Sequence, residues 1–257
     1  MEFFGTATET KIMPSGVEVE YGPILGKHER LLTTNNGKEP FSTRLNKMLS
    51  HTIVRVGSNR NIDADFVANM FSTDRNFCLV SIRQFTMGDE DTFTYPFEYE
   101  NAEGKEVSED IEIPLVDGMF PVTAMKLQFA EYPEKAVFYY VQLPHAKIEV
   151  QLQLKTGKDE ARAAAMDRKK VSTLTAIELS RPQYKNPKSD TYLRLPLDQL
   201  SMRDLNELRK AIMEQEGKVD TTIKFEHPLY SQGLSDQQYV QVNVINSANF
   251  FFPQGSL

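Results

Sequence analysis

The chain has 257 residues, 40% of them apolar and 25% charged, with a formal net charge of −7. That length fits one large domain or two of roughly 110–130 residues each, and the apolar share supplies a core either way. The negative balance does not suggest a nucleic-acid surface, the lone Cys78 excludes an internal disulfide or a multi-cysteine metal site, and no apolar run approaches the ~18 residues of a membrane span.

Residues 1–12 read as an N-terminal arm, and Met1-Glu2-Phe3-Phe4-Gly5 lacks the basic start of a secretory signal. Val17, Val19 and Tyr21 alternate with Glu18 and Glu20, the period of a half-buried strand. Gly22-Pro23 breaks it. Gly26–Leu32 reads as a short helix ended by Asn35-Asn36-Gly37. Ser42 is placed to cap a helix with Leu45, Met48, Leu49 and Ile53 on one face. Asp63–Met70 is a further helical turn. Ser72-Thr73-Asp74 caps a longer helix that Gly88 closes in the left-handed conformation. Phe93, Tyr95 and Phe97, the turn 101–105, and Val107, Ile111 and Ile113 predict a β-hairpin. Residues 117–135 form a connection. Ala136–Val141 pairs with Ile148–Leu154 around Pro144-His145, and Gly157–Leu179 is largely helical. Ser201 starts a helix with Leu205, Leu208 and Ile212 on one face and Gly217 at its end. Val219–Phe225 and Tyr239–Val244 make a second hairpin around His227-Pro228.

The chain repeats itself. Gly26-Lys27-His28-Glu29 returns as Gly157-Lys158-Asp159-Glu160, and Val17-Glu18-Val19 as Ile148-Glu149-Val150, both 131 residues later. Gly88 and Asp91-Thr92 return as Gly217 and Asp220-Thr221, 129 residues later. The fold expected is therefore α+β: two related modules from an internal duplication, at 13–116 and 143–253, joined by 117–142 and followed by a tail at 254–257. Each holds short helices and a β-hairpin. The shared Gly-Lys-x-Glu is read as a helix start, with the glutamate favoured by the helix dipole.

Little in the sequence points to catalysis. His28, His51, His145 and His227 are spaced so that no two share a helix face, and each is read as a surface residue. No phosphate-binding glycine loop or nucleophile elbow occurs. Neither catalytic residues nor a cofactor or metal site are assigned. Two stretches remain. Asp89–Glu112 holds ten carboxylates and one lysine, a net −9, and is read as a solvated face or as a docking surface for a basic partner through Asp89, Glu90 and Asp91. Phe250-Phe251-Phe252-Pro253 puts three aromatics in a row, which cannot all face one side of a strand. They either tuck between the repeats or dock on another subunit.

An ordered set of motifs resembles the T-even-type baseplate protein family, hub components and hub-assembly factors of contractile-tailed phages. The set is Met13-Pro14-Ser15-Gly16, Gly26-Lys27-His28-Glu29, Ser72-Thr73-Asp74-Arg75 and Gly88-Asp89, then Leu143-Pro144, Lys155-Thr156-Gly157-Lys158-Asp159-Glu160, Leu200-Ser201-Met202-Arg203-Asp204 and Asn249-Phe250-Phe251-Phe252-Pro253. The resemblance covers residues 13–253. It implies a non-enzymatic structural or assembly role by protein–protein contact in the baseplate hub or wedge, with other tail proteins as partners in a hetero-oligomeric assembly. It implies assembly in the bacterial cytoplasm and a place in the virion, or else a chaperone that leaves. An unrelated binding module is the alternative, and a wall-degrading enzyme is disfavoured. Relatives carry a zinc-ribbon Cys-Pro-x-Cys-Gly at the hairpin. Here Tyr95-Pro96-Phe97-Glu98 and His227-Pro228-Leu229-Tyr230 stand there, so the hairpins are expected to be degenerate, metal-free versions stapled by Tyr95, Phe97, Tyr99 and Tyr230.

Overall fold

A computed structural model describes residues 7–33, 39–88, 92–101, 103–116, 118–166, 174–231, 233, 235–245 and 250. The fold is α+β. It begins with strands β1 (Glu9–Ile12) and β2 (Glu18–Tyr21), helices α1 (Gly26–Thr33) and α2 (Phe41–Thr52), and strand β3 (Ile53–Val56). These strands form an antiparallel sheet in the order β1-β2-β3. Part of the expected arm thus belongs to a sheet, because Glu9–Ile12 pairs with Glu18–Tyr21. Helices α3 (Ala64–Asn69) and α4 (Ser72–Met87) follow, then the hairpin β4 (Thr92–Glu100) and β5 (Glu106–Pro114).

Past the two-residue strand β6 (Val122–Thr123), the order resumes. Strands β7 (Phe138–Gln142) and β8 (Glu149–Gln153) precede helices α5 (Gly157–Ala164) and α6 (Thr175–Leu179) and strands β9 (Gln183–Lys185) and β10 (Tyr192–Arg194). The second sheet runs β10-β9-β8-β7, all antiparallel. Helix α7 (Met202–Glu216), strand β11 (Lys218–Val219), which pairs with β6, and the hairpin β12 (Thr222–Glu226) and β13 (Tyr239–Asn243) complete it. Among the described residues no helix is long and apolar enough to cross a membrane.

Local sequence explains most elements. Asp63 caps α3 by accepting the Phe66 N–H at 2.7 Å, and Ser201 caps α7 by accepting that of Asp204 at 3.1 Å. Two expected caps are corrected. Pro40, with φ −58°, occupies the α2 cap position, so Ser42 lies inside the helix, and Ile53 opens β3. Phe71 occupies the α4 cap position. Ser72 is the first helical residue, its backbone N–H reaches Lys155 O at 3.0 Å, and Thr73 Oγ1 is drawn to Glu216 O at 2.7 Å.

Helices α4 and α7 both stop at glycine, Gly88 (φ 75°, ψ −158°) and Gly217 (φ 61°, ψ −165°). The φ is positive as expected, but ψ is far from the left-handed helix, in a region essentially open to glycine alone. The expected terminator Asn35-Asn36-Gly37 lies outside the described residues.

Two cores form, and they do not divide the chain at its middle. One gathers Val19, Tyr21, Met48, Leu49, Leu79 and Ile82 with Phe93, and also takes Ile223, Phe225, Val244 and Phe250 from the far end of the chain. The other packs Tyr139, Val141, Val150 and Leu152 on Leu205, Leu208 and Ile212, and takes Phe71 from the first half. The second hairpin thus completes the first core.

Candidate functional site

The hairpins β4–β5 and β12–β13 meet through their apolar faces. Alternation along β4 puts Phe93, Tyr95, Phe97 and Tyr99 on one side, facing Ile223 and Phe225 of β12. The Phe225 ring centroid lies 6.0 Å from Tyr95 and 5.5 Å from Phe97, while His227 lies 5.3 Å from Phe97 and 5.9 Å from Tyr99. Aromatic packing therefore joins the hairpins. Its second-half members are Phe225 and His227, which corrects the expected Tyr230; that side chain sits in the turn after Pro228 and is 37% exposed. Among the described residues no three His, Cys, Asp or Glu side chains converge as metal ligands.

The same alternation turns Glu98, Glu100, Glu106, Asp110 and Glu112 outward, all exposed. Glu100 stands directly opposite Glu106. Lys105 pairs with Glu103 at 2.9 Å, and no cation among the described residues pairs with the five outward carboxylates. The predicted interface residues Asp89, Glu90, Asp91, Phe251, Phe252 and Pro253 lie outside the described residues. Phe250 is corrected: it is 0% exposed, with ring centroids 6.1 Å from both Phe93 and Phe120 and the Arg83 guanidinium 4.5 Å from its own. It is a core residue and offers nothing to a partner, because the hairpin base and α4 enclose it.

Where the halves touch, buried polar groups hold them. Arg75 is buried, donating to Asn46 Oδ1 at 2.9 Å and to Glu160 Oε2 at 3.2 Å. Asn76 Nδ2 donates to Glu160 Oε1 at 3.1 Å. Gly157 lies against this arginine: a Cβ there would meet Arg75 Cδ at 2.8 Å, whereas one at Gly26 would meet nothing within 4 Å. The two copies of Gly-Lys-x-Glu thus sit in different surroundings. Glu160 faces a buried arginine, while Glu29 is exposed.

A carboxylate pair was missed by sequence reasoning. Asp74, third residue of α4, accepts the Ser15 N–H at 3.0 Å and so holds the β1–β2 turn. Asp204, third residue of α7, accepts the N–H groups of His145 at 2.9 Å and Ala146 at 3.2 Å and so holds the β7–β8 turn. The surroundings differ. Burial raises the Asp74 carboxyl to about 6, against the lowering effect of its bonds to Ser15 and Tyr132. For Asp204 burial also acts upward, but the His145, Ser201 and Ala146 donors outweigh it and the pKa falls. The signal was the recurrence of an aspartate in Ser72-Thr73-Asp74 and Ser201-Met202-Arg203-Asp204.

The histidines divide. His51 and His145 match their surface reading, while His28 is buried and His227 lies half-buried in the aromatic seam. His28 Nδ1 accepts the Leu25 N–H at 3.0 Å, and burial, with Lys27 and His51 nearby, lowers its pKa to about 4, so it is neutral at neutral pH. A polar cleft of about 850 Å³ lies at the junction. Lys158 pairs with Asp65 at 2.8 Å, and Glu131 accepts from Ser58 N–H at 2.8 Å. These contacts hold loops in place.

No family model matches the chain, and no curated protein or solved structure matches it significantly.

Proposed function

We propose that this protein is a structural or assembly component of a contractile phage tail baseplate, acting without catalysis through protein–protein contacts in the hub or wedge. The acidic outer face of β4–β5 carries the reading. Like charges directly opposite on a hairpin destabilise it, and Glu100 faces Glu106 with no cation to relieve them among the described residues. A basic surface on a partner would relieve that repulsion and orient docking, since complementary charge governs encounter and register more than affinity. The ordered motifs supply the identity of the assembly. Both halves open on two strands and two helices and close on a hairpin, and with Asp74 and Asp204 in matching roles this supports two copies of one module. Partners are other baseplate or tail proteins, and the place is the virion tail after assembly in the host cytoplasm.

The test replaces Glu98, Glu100 and Glu106 by Gln and Asp110 by Asn. The variant folds and melts at or above the parent temperature, but at low salt it no longer retains the baseplate proteins that the parent retains from a lysate of phage-infected cells. Equal retention by both would remove the acidic face from the argument. Mass spectrometry of purified virions separates a resident component from an assembly factor that leaves; absence of the chain from virions and of any tail protein among its partners would refute the baseplate reading.

A further inference from the structure

The outward face of the β10-β9-β8-β7 sheet differs in chemistry from the rest of the surface. Strand register sets Tyr140, Gln151, Gln183 and Arg194 in one row across all four strands. Phe138 lies two residues from Tyr140 on β7, hence roughly 7 Å away on the same face. Three aromatic side chains stand open here: Phe138 at 45%, Tyr140 at 53% and Tyr192 at 44% exposure. The Tyr140 hydroxyl accepts the Gln151 amide at 3.0 Å.

The cations around this face are already paired. Lys185 lies 2.8 Å from Asp190, Arg194 3.4 Å from Glu178, and Arg181 2.7 Å from Asp159. The corresponding face of the β1-β2-β3 sheet has no such platform: Arg55 there pairs with Glu18 and with Glu20.

The chemistry narrows the occupant. A polyanion gains little from cations that have acidic partners and meets a chain of net charge −7. A dry protein face would cover the Gln151 and Gln183 carboxamides and leave donors and acceptors unsatisfied. A sugar chain presents C–H faces that lie on aromatic rings, and hydroxyls that both donate and accept, which is what a carboxamide needs. The Tyr140 ring and the Gln151 amide already hold one another before a ligand arrives, which lowers the ordering cost of binding at that pair. We propose that this sheet face binds a neutral oligosaccharide, lying across Phe138, Tyr140 and Tyr192 with Gln151 and Gln183 as its hydrogen-bonding partners.

Isothermal titration of the full chain with the hexamer of N-acetylglucosamine, and separately with the β-1,4 hexamer of glucose, tests this. At least one binds with a Kd of about a millimolar or tighter. Affinity is retained at about 0.5 M salt, because no charged ligand group takes part. Tyr140→Ala and Phe138→Ala each weaken binding about tenfold, while Tyr140→Phe, which keeps the ring, stays within about threefold. Both alanine sites are exposed, so an unchanged circular dichroism spectrum and melting temperature certify the fold. Failure of both hexamers to bind overturns the proposal, as does equal binding by the two alanine variants. So does a parent dimer in sedimentation that Tyr140→Ala disperses, since a second copy would then be the occupant, or salt-sensitive binding of a single-stranded oligothymidylate that the same variants abolish.

Discussion

Asp74→Asn separates a structural carboxylate from one that works against the fold at neutral pH. Asp74 is buried, and its pKa of about 6 in the native state stands above the ordinary 3.8. The folded state therefore holds the proton more tightly than the unfolded chain does. The stabilisation from that proton is fully present below the unfolded pKa and is lost as pH rises through the folded one, a window from about pH 4 to about pH 7. A shift of this size corresponds to about 3 kcal/mol. Asparagine has nearly the same shape and no charge at any pH, and its carbonyl can keep the Ser15 N–H that Asp74 now accepts at 3.0 Å. Urea unfolding followed by circular dichroism at about pH 4.5, 6 and 8 measures the parent and the variant side by side. The variant is expected to equal the parent or fall slightly below it in acid, and to gain on it by about 3 kcal/mol across the window. Asp204→Asn supplies the opposite sign. Its carboxylate is favoured by three donors, so that variant loses ground as pH rises through the carboxylate range and the deficit persists to neutrality. A pH-independent gap between the Asp74 variant and the parent would refute the reasoning, and so would an Asp74 variant that falls progressively behind as pH rises.

Three further outcomes follow from contacts already described. Gly157→Ala places a methyl 2.8 Å from Arg75 Cδ and 3.2 Å from Ala68 O, so it is expected to cost about 1–3 kcal/mol in chemical denaturation. Gly26→Ala, with open space at its Cβ, is expected to be neutral or stabilising by up to about 1 kcal/mol, and equal effects at the two sites would contradict their different surroundings. Phe250→Ala removes a ring packed on Phe93 and Phe120 and is expected to cost about 3–5 kcal/mol while leaving an assembled complex with any partner intact in composition; a stable variant that loses its partners would restore Phe250 to an interface.

Helix α7 was legible because its signals agree: Ser201 caps it, Leu205, Leu208 and Ile212 share a face, and Gly217 ends it. The hairpin β4–β5 was equally plain, since alternation of aromatic and polar residues fixes both the element and its faces. Helix α4 was read correctly in extent but not at its start. Ser72 and Thr73 have capping chemistry, yet the helix already begins at Ser72, with Phe71 at the cap position and Thr73 Oγ1 turned to Glu216 O far along the chain. The same blindness to distant partners hid the roles of Asp74 and Asp204, whose acceptor function is defined by turns 59 residues away. His28 looked like a surface histidine from its polar neighbours Lys27 and Glu29, but it shares the inward face of α1 with Leu32, four residues on. The triple phenylalanine resisted for a different reason. Consecutive aromatics satisfy neither period, so sequence alone left core and interface open, and burial of Phe250 decides the matter for that residue alone.

The arrangement of the cores bears on where function lies. An isolated two-stranded hairpin is marginal in water. Each hairpin here escapes that fate by burying its apolar face on the other, through Tyr95, Phe97, Phe225 and His227. The second hairpin therefore belongs to the first half's core, as Phe71 belongs to the second's, and Thr73, Arg75 and Glu160 tie the helices between them. Halves that exchange parts in this way depend on one another, because each core takes side chains from both. Their junction is held by the Thr73–Glu216, Arg75–Glu160 and Asn76–Glu160 contacts beside the polar cleft. Among the described residues, the faces left outward include the carboxylates of β4–β5 and the aromatic row on the second sheet. The matching sheet of the first half, where Arg55 already holds Glu18 and Glu20, has closed that option to itself. The two sheets thus differ in the chemistry they expose, one carrying paired charges and the other open aromatic rings.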